Sequence, residues 1–89
     1  KGWFDWVYTF GLVEGKSDYY IACNGDKCAV YHKSGQKVSE EFPRDYMNTL
    51  DVNFNDSLGI VEIGSRSIDF NPVYPFKEEI IDYTKLLNI

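Results

Sequence analysis

Carboxylates are the residues of this chain best placed to do chemistry. Ten of them fall between positions 39 and 89: Glu40, Glu41, Asp45, Asp51, Asp56, Glu62, Asp69, Glu78, Glu79 and Asp82. The same stretch holds four bases, Arg44, Arg66, Lys77 and Lys85, for a net of −6. Residues 1–38 carry five lysines against four acids, a net of +1. Carboxylates on a rigid scaffold attract basic surfaces, with fast, salt-sensitive association. Such a surface does not suit direct contact with nucleic acid, whose phosphates must be met by Lys and Arg, or with anionic membranes. The neighbouring pairs Glu40-Glu41 and Glu78-Glu79 point in different directions on a helix, which makes them solvated faces rather than acid–base pairs. His32 is the sole histidine. It stands between Tyr31 and Lys33 with no acid at a meaningful spacing, so a small enzyme built on it is a minor alternative. G-x-S-x-G, P-loop and G-x-G-x-x-G patterns are all missing. The expectation is a protein that is not an enzyme and needs no cofactor.

Two resemblances sharpen this. In small size, aromatic content, acidity and lack of catalytic motifs, the whole chain resembles phage-type acidic DNA-mimic inhibitors of restriction enzymes. That resemblance implies an inhibitor working in the cytoplasm of a host cell. Its carboxylates would occupy the DNA groove of a nuclease or another basic, nucleic-acid-binding protein. The second resemblance covers twelve residues. Asp51-Val52-Asn53-Phe54-Asn55-Asp56-Ser57-Leu58-Gly59-Ile60-Val61-Glu62 is similar to an EF-hand calcium loop. It implies calcium held by Asp51, Asn53, Asn55, the Ser57 carbonyl and a bidentate Glu62. The pattern departs from the family at Asp56, where the loop needs Gly, and at Val52 and Phe54, which are apolar. Without calcium, the same segment reads as an Asx-rich loop whose side chains cap their own backbone. Asn55-Asp56-Ser57 also fits a glycosylation sequon, which reads as chance without an export signal.

Cys23 and Cys28 sit in Cys23-Asn24-Gly25-Asp26-Lys27-Cys28, with no second pair to complete a zinc site. A hairpin turning on Gly25-Asp26 sets the two cysteines opposite each other, with Cα atoms about 4.5–5.5 Å apart and within disulfide range. A turn on Asn24-Gly25 puts them out of register. The favoured reading is two thiols in a cytoplasmic protein, with an exported disulfide form as the alternative.

The elements that must position these groups follow from periodicity. The 89 residues, 44% hydrophobic and 17% aromatic, fit one globular domain over 1–89. No segment reads as a signal peptide, and no apolar run approaches the roughly 20 residues of a membrane span. Residues 3–13 are aromatic and β-branched and predict a strand. Phe4, Trp6, Tyr8, Phe10 and Leu12 would share one of its faces. The Cys hairpin follows, then a turn at Lys33-Ser34-Gly35-Gln36 and a short third pairing at Lys37-Val38. This stretch resembles one WG-type β repeat without its Trp-Gly pair. No long internal repeat is apparent. Pro43 predicts the start of a short helix to about Leu50, and 51–59 reads as a polar loop. A second hairpin joins 60–63 to 67–70. With Ser65-Arg66 as its turn, Glu62 faces Asp69 directly, an unfavourable pairing. Phe76, Ile80, Tyr83 and Leu87 form a helical stripe over 76–87. The fold expected is therefore α+β: an antiparallel sheet of hairpins with a C-terminal amphipathic helix packed on one face. Exposed aromatics among Trp3, Trp6 and Tyr20 would mark a homodimer or partner patch.

Overall fold

A computed structural model describes residues 4–73. These residues form two antiparallel sheets. The first has strand order β1-β2-β3-β4 and the second β5-β6-β7. β1 is Trp6–Tyr8, β2 Tyr19–Asn24, β3 Lys27–His32, β4 Phe42–Pro43, β5 Val52–Asn55, β6 Ile60–Ile63 and β7 Arg66–Asp69.

The described architecture is therefore mostly β, which corrects the α+β expectation. The helix expected over 76–87 lies outside the described residues. The helix expected near 43–50 shrinks to a single 3₁₀ turn, Arg44–Met47. Pro43 is extended (φ −64, ψ 142) and belongs to β4, and Asn48-Thr49 behind the turn are poor helix formers. The long strand expected over 3–13 stops at Tyr8. Phe10–Val13 instead makes one helical turn, α1, closed by Val13 N–H to Thr9 O at 2.8 Å and Glu14 N–H to Phe10 O at 2.9 Å. The chain thereby reverses into β2.

Both long hairpins turn on a glycine. Asn24 faces Lys27 and Ile63 faces Arg66, so Gly25-Asp26 and Gly64-Ser65 are the central pairs. Gly25 has φ +64 and Gly64 has φ +62, and no non-glycine among the described residues has positive φ. Glycine at the first central position is the II′ pattern, whose twist suits a two-residue hairpin. Gly64 thus sets the second register, and the expected Ser65-Arg66 turn is wrong by one residue. Val61 faces Ile68, Ile60 faces Asp69 and Glu62 faces Ser67. In the first hairpin Cys23 faces Cys28, and the two form a disulfide with Cα atoms 4.0 Å apart. This overturns the free-thiol reading and fits an oxidising environment.

One core joins the sheets. Tyr19, Ile21, Cys23, Cys28 and Val30 from the first hairpin pack with Val38, Phe42 and Met47, with Val61 and Ile63 from the second sheet, and with Phe70 just after β7. The rings of Tyr19 and Phe70 lie 4.5 Å apart, and Val73 N–H donates to the Tyr19 hydroxyl at 2.8 Å. Asn71 N–H donates to Val38 O at 2.8 Å, a backbone bond between the two halves. The other face of the first sheet buries Ala22 and Ala29 beside the stacked pair Tyr20–Tyr31, with Phe4 edge-on to Tyr31. No helix among the described residues is long and apolar enough to cross a membrane.

Candidate functional site: an acidic sheet face

Val52–Asn55, within the stretch 51–59 expected to be a loop, form β5 at the leading edge of the second sheet. Burial alternates over 51–55: Asp51, Asn53 and Asn55 are exposed, while Val52 and Phe54 are half-buried against the core. Period-two alternation of this kind specifies a strand with one wet face. Val52 and Phe54, anomalous in a calcium loop, are the inward side of β5.

Register then fixes what shares the wet face. Asn53 lies opposite Glu62 and Asn55 opposite Ile60. Across the next gap, Glu62 lies opposite Ser67 and Ile60 opposite Asp69. Gly64 N–H donates to Asp51 O at 2.7 Å, which sets Asp51 level with Gly64. The outer face therefore carries Asp51, Asn53, Asn55, Ile60, Glu62, Ser67 and Asp69. Glu62 is central, with Asp51 diagonal to it on one side and Asp69 on the other, each roughly 7–8 Å away on the spacing of diagonal sheet neighbours. Among the described residues, no lysine or arginine belongs to this face. Arg66 alternates to the other side of β7 and stacks its guanidinium 4.2 Å from the centre of the Tyr46 ring.

The remaining acids divide. Glu40 and Glu41 line an open groove of about 790 Å³ between residues 37–43 and β7, with Asp69 on its opposite wall. Lys37 pairs with Glu41 at 3.3 Å. Asp45 is exposed on the 3₁₀ turn. Asp56 serves structure: it accepts from the Ser17 hydroxyl at 2.7 Å and from Asp18 N–H at 2.9 Å, tying the turn before β2 to the β5–β6 turn. Glu78, Glu79 and Asp82 lie outside the described residues. Of the acids expected to act together, Asp51, Glu62 and Asp69 are brought onto one face, and Glu40 and Glu41 border it across a groove.

The calcium arrangement is not formed. An EF-hand loop curls around the ion, whereas Asp51, Asn53 and Asn55 are spread along an extended strand. Asn53 donates to the Asp51 carboxylate at 3.0 Å, and Asn55 Oδ1 accepts from the Ser57 hydroxyl at 3.0 Å and Leu58 N–H at 3.1 Å. The Asx-rich capping alternative fits those last two bonds. Among the described residues, no three His, Cys, Asp or Glu side chains cluster as a metal site. His32 bonds within its own turn, with Nδ1 3.0 Å from the Ser34 hydroxyl and 3.1 Å from Ser34 N–H, and sets its ring against Tyr19. Trp6 is partly exposed beside Tyr8, Tyr20 is half-buried, and Trp3 lies outside the described residues.

A separate cluster pins β1 to the tip of the first hairpin. Asp5 accepts from Gly25 N–H at 2.8 Å and from Arg44 Nη1 at 2.6 Å, and the same guanidinium nitrogen donates to Gly25 O at 2.8 Å. The Gly25 hydrogen bond, followed by that of Arg44, holds the Asp5 carboxyl below its ordinary range.

Sequence reasoning overlooked the polar neighbours of the acids. Asn53, Asn55 and Ser67 share their face and add donors and acceptors between the charges. The Asp51–Asn55 alternation was the available signal. No protein-family model, curated protein or solved structure matches the chain.

Proposed function

We propose that the protein is a non-enzymatic binding protein that engages a basic partner through the outer face of its second sheet. The partner class is a nucleic-acid-binding protein such as a nuclease, with the carboxylates taking the place of phosphates. One observation carries the reading: Asp51 just before β5, Glu62 on β6 and Asp69 on β7 form a diagonal, on a face to which the described residues bring no Lys or Arg. A sheet holds such a row rigidly, so little ordering entropy is lost on binding. The amides and hydroxyl between the charges supply hydrogen bonds at the same surface. One-signed charge of this kind raises association rates and makes them sensitive to salt. The test is to immobilise the protein, recover what binds from its source cell and elutes with salt, and measure whether added protein displaces duplex DNA from it. Displacement that weakens as salt rises supports the reading; failure to displace DNA at any excess removes it.

A further inference from the structure

The two sheets repeat one design, and the second is open where the first is closed. A shift of 39 positions carries Asn24↔Lys27 onto Ile63↔Arg66 and Cys23↔Cys28 onto Glu62↔Ser67. The leading strands match too, since Trp6 faces Cys23 and Asn53 faces Glu62. This duplication of strand register is not visible as sequence identity.

On the outer edge of β3, the backbone groups turned away from β2 are in use. Cys28 pairs with Phe42 of β4. Val30 O accepts from Val38 N–H at 2.9 Å, Val30 N–H donates to the Ser39 hydroxyl at 2.9 Å, and His32 N–H donates to Gln36 O at 2.8 Å. The equivalent positions are Ser67 and Asp69 on β7 and Asn71 just beyond it. Asn71 N–H is taken by Val38 O. Beyond that rung the chain segments diverge around the groove bordered by Glu40, Glu41 and Asp69. Among the described residues β7 is an edge strand, and nothing pairs with the outward N–H and C=O of Ser67 and Asp69.

We propose that this edge accepts an extended, basic segment of the partner protein as an added strand, bonded to the backbone of Ser67 and Asp69. The inference rests on the basic-partner reading and says how that partner is held. Charge selects the occupant. The groove's one lysine, Lys37, is paired with Glu41, while Glu40 and Asp69 have no base within ion-pair distance among the described residues. Side chains of an added strand alternate between two faces. One set lies beside Asp69 and the other beside Ile68 and the Tyr46 ring that Arg66 covers, which calls for basic residues in the first set and uncharged, apolar ones in the second.

The test titrates the full chain with an end-blocked Lys-Val-Lys-Val-Lys-Val-Lys peptide, followed by calorimetry and amide NMR. Saturable binding with slowed exchange at the Ser67 and Asp69 amides is expected. N-methylation of alternate peptide residues, made in both alternations, should weaken binding about tenfold or more in one of the two. Ser67→Pro removes an outward N–H and no charge, and should weaken binding to a similar degree. Should that variant fail to fold, the methylated peptides decide alone. No binding, or equal binding by both methylated forms, overturns the proposal. Peptide binding that ignores methylation but is lost in Asp51→Asn/Glu62→Gln leaves the acidic-face reading standing and removes only the edge strand.

Discussion

Glu62 lies diagonally across from Asp69, because Gly64 opens the turn and sets Ser67, an uncharged residue, directly opposite Glu62. That offset lets a one-signed row persist without directly opposed carboxylates. Ser67→Glu would create the opposed pair. It should cost a few tenths to about 1 kcal/mol relative to Ser67→Gln, more at low salt. Urea denaturation at two salt concentrations checks it; no difference between the two variants would place Glu62 opposite another residue.

The single core predicts that damage in one sheet is felt by both. Ile63 is 1% exposed and Leu50 is 88% exposed. Ile63→Ala should destabilise by roughly 2–5 kcal/mol, and Leu50→Ala should stay within about 0.5 kcal/mol. Denaturation followed by tryptophan fluorescence and by far-ultraviolet dichroism should give coincident curves for both variants.

The Cys23–Cys28 bridge closes a short loop, with the two cysteines five positions apart. Its stabilisation should sit near the low end for disulfides, about 2 kcal/mol. Comparing the denaturation midpoints of oxidised and reduced protein measures it. A thiol assay on protein from its source cell should find both cysteines blocked.

Asp5 couples stability to acid. Its folded-state pKa is lowered, first by the Gly25 N–H and then by Arg44. The contribution is therefore present above the unfolded value of about 3.9 and is lost as pH falls from there through the folded value. Asp5→Asn should be less stable than wild type at neutral pH, with the gap closing below about pH 4. A gap that stays constant down to pH 2 would contradict the assignment.

Local chemistry was legible in the sequence, and long-range registration was not. Asn24-Gly25-Asp26 between two β-branched and aromatic runs announced the first hairpin, while its register stayed open between a Gly25-Asp26 and an Asn24-Gly25 turn. The second hairpin was equally visible as a pair of strands, but its register depended on seeing that Gly64 had to stand first in the turn. Asp51, Asn53 and Asn55 drew attention as oxygen ligands and hid the alternation of Val52 and Phe54. The C-terminal stripe lies outside the described residues. The site was half legible: the sequence puts Glu62 and Asp69 on one face of a hairpin and makes 51–59 a polar segment. Asp56 could not be separated from them, because its partners Ser17 and Asp18 are 39 and 38 positions away. The matching of the two sheets lies in backbone pairing, which side-chain identity does not encode.

The acidic row is tested most directly by competition for a captured nucleic-acid-binding partner. Duplex DNA is displaced from that partner by wild-type protein and, in parallel, by Asp51→Asn/Glu62→Gln/Asp69→Asn, across a series of salt concentrations. Wild type should displace DNA in a saturable manner that weakens with salt. The triple variant, equally folded by dichroism, should need at least about tenfold more protein, a loss of about 1.4 kcal/mol. Equal displacement by both proteins, or displacement indifferent to salt, would contradict the account.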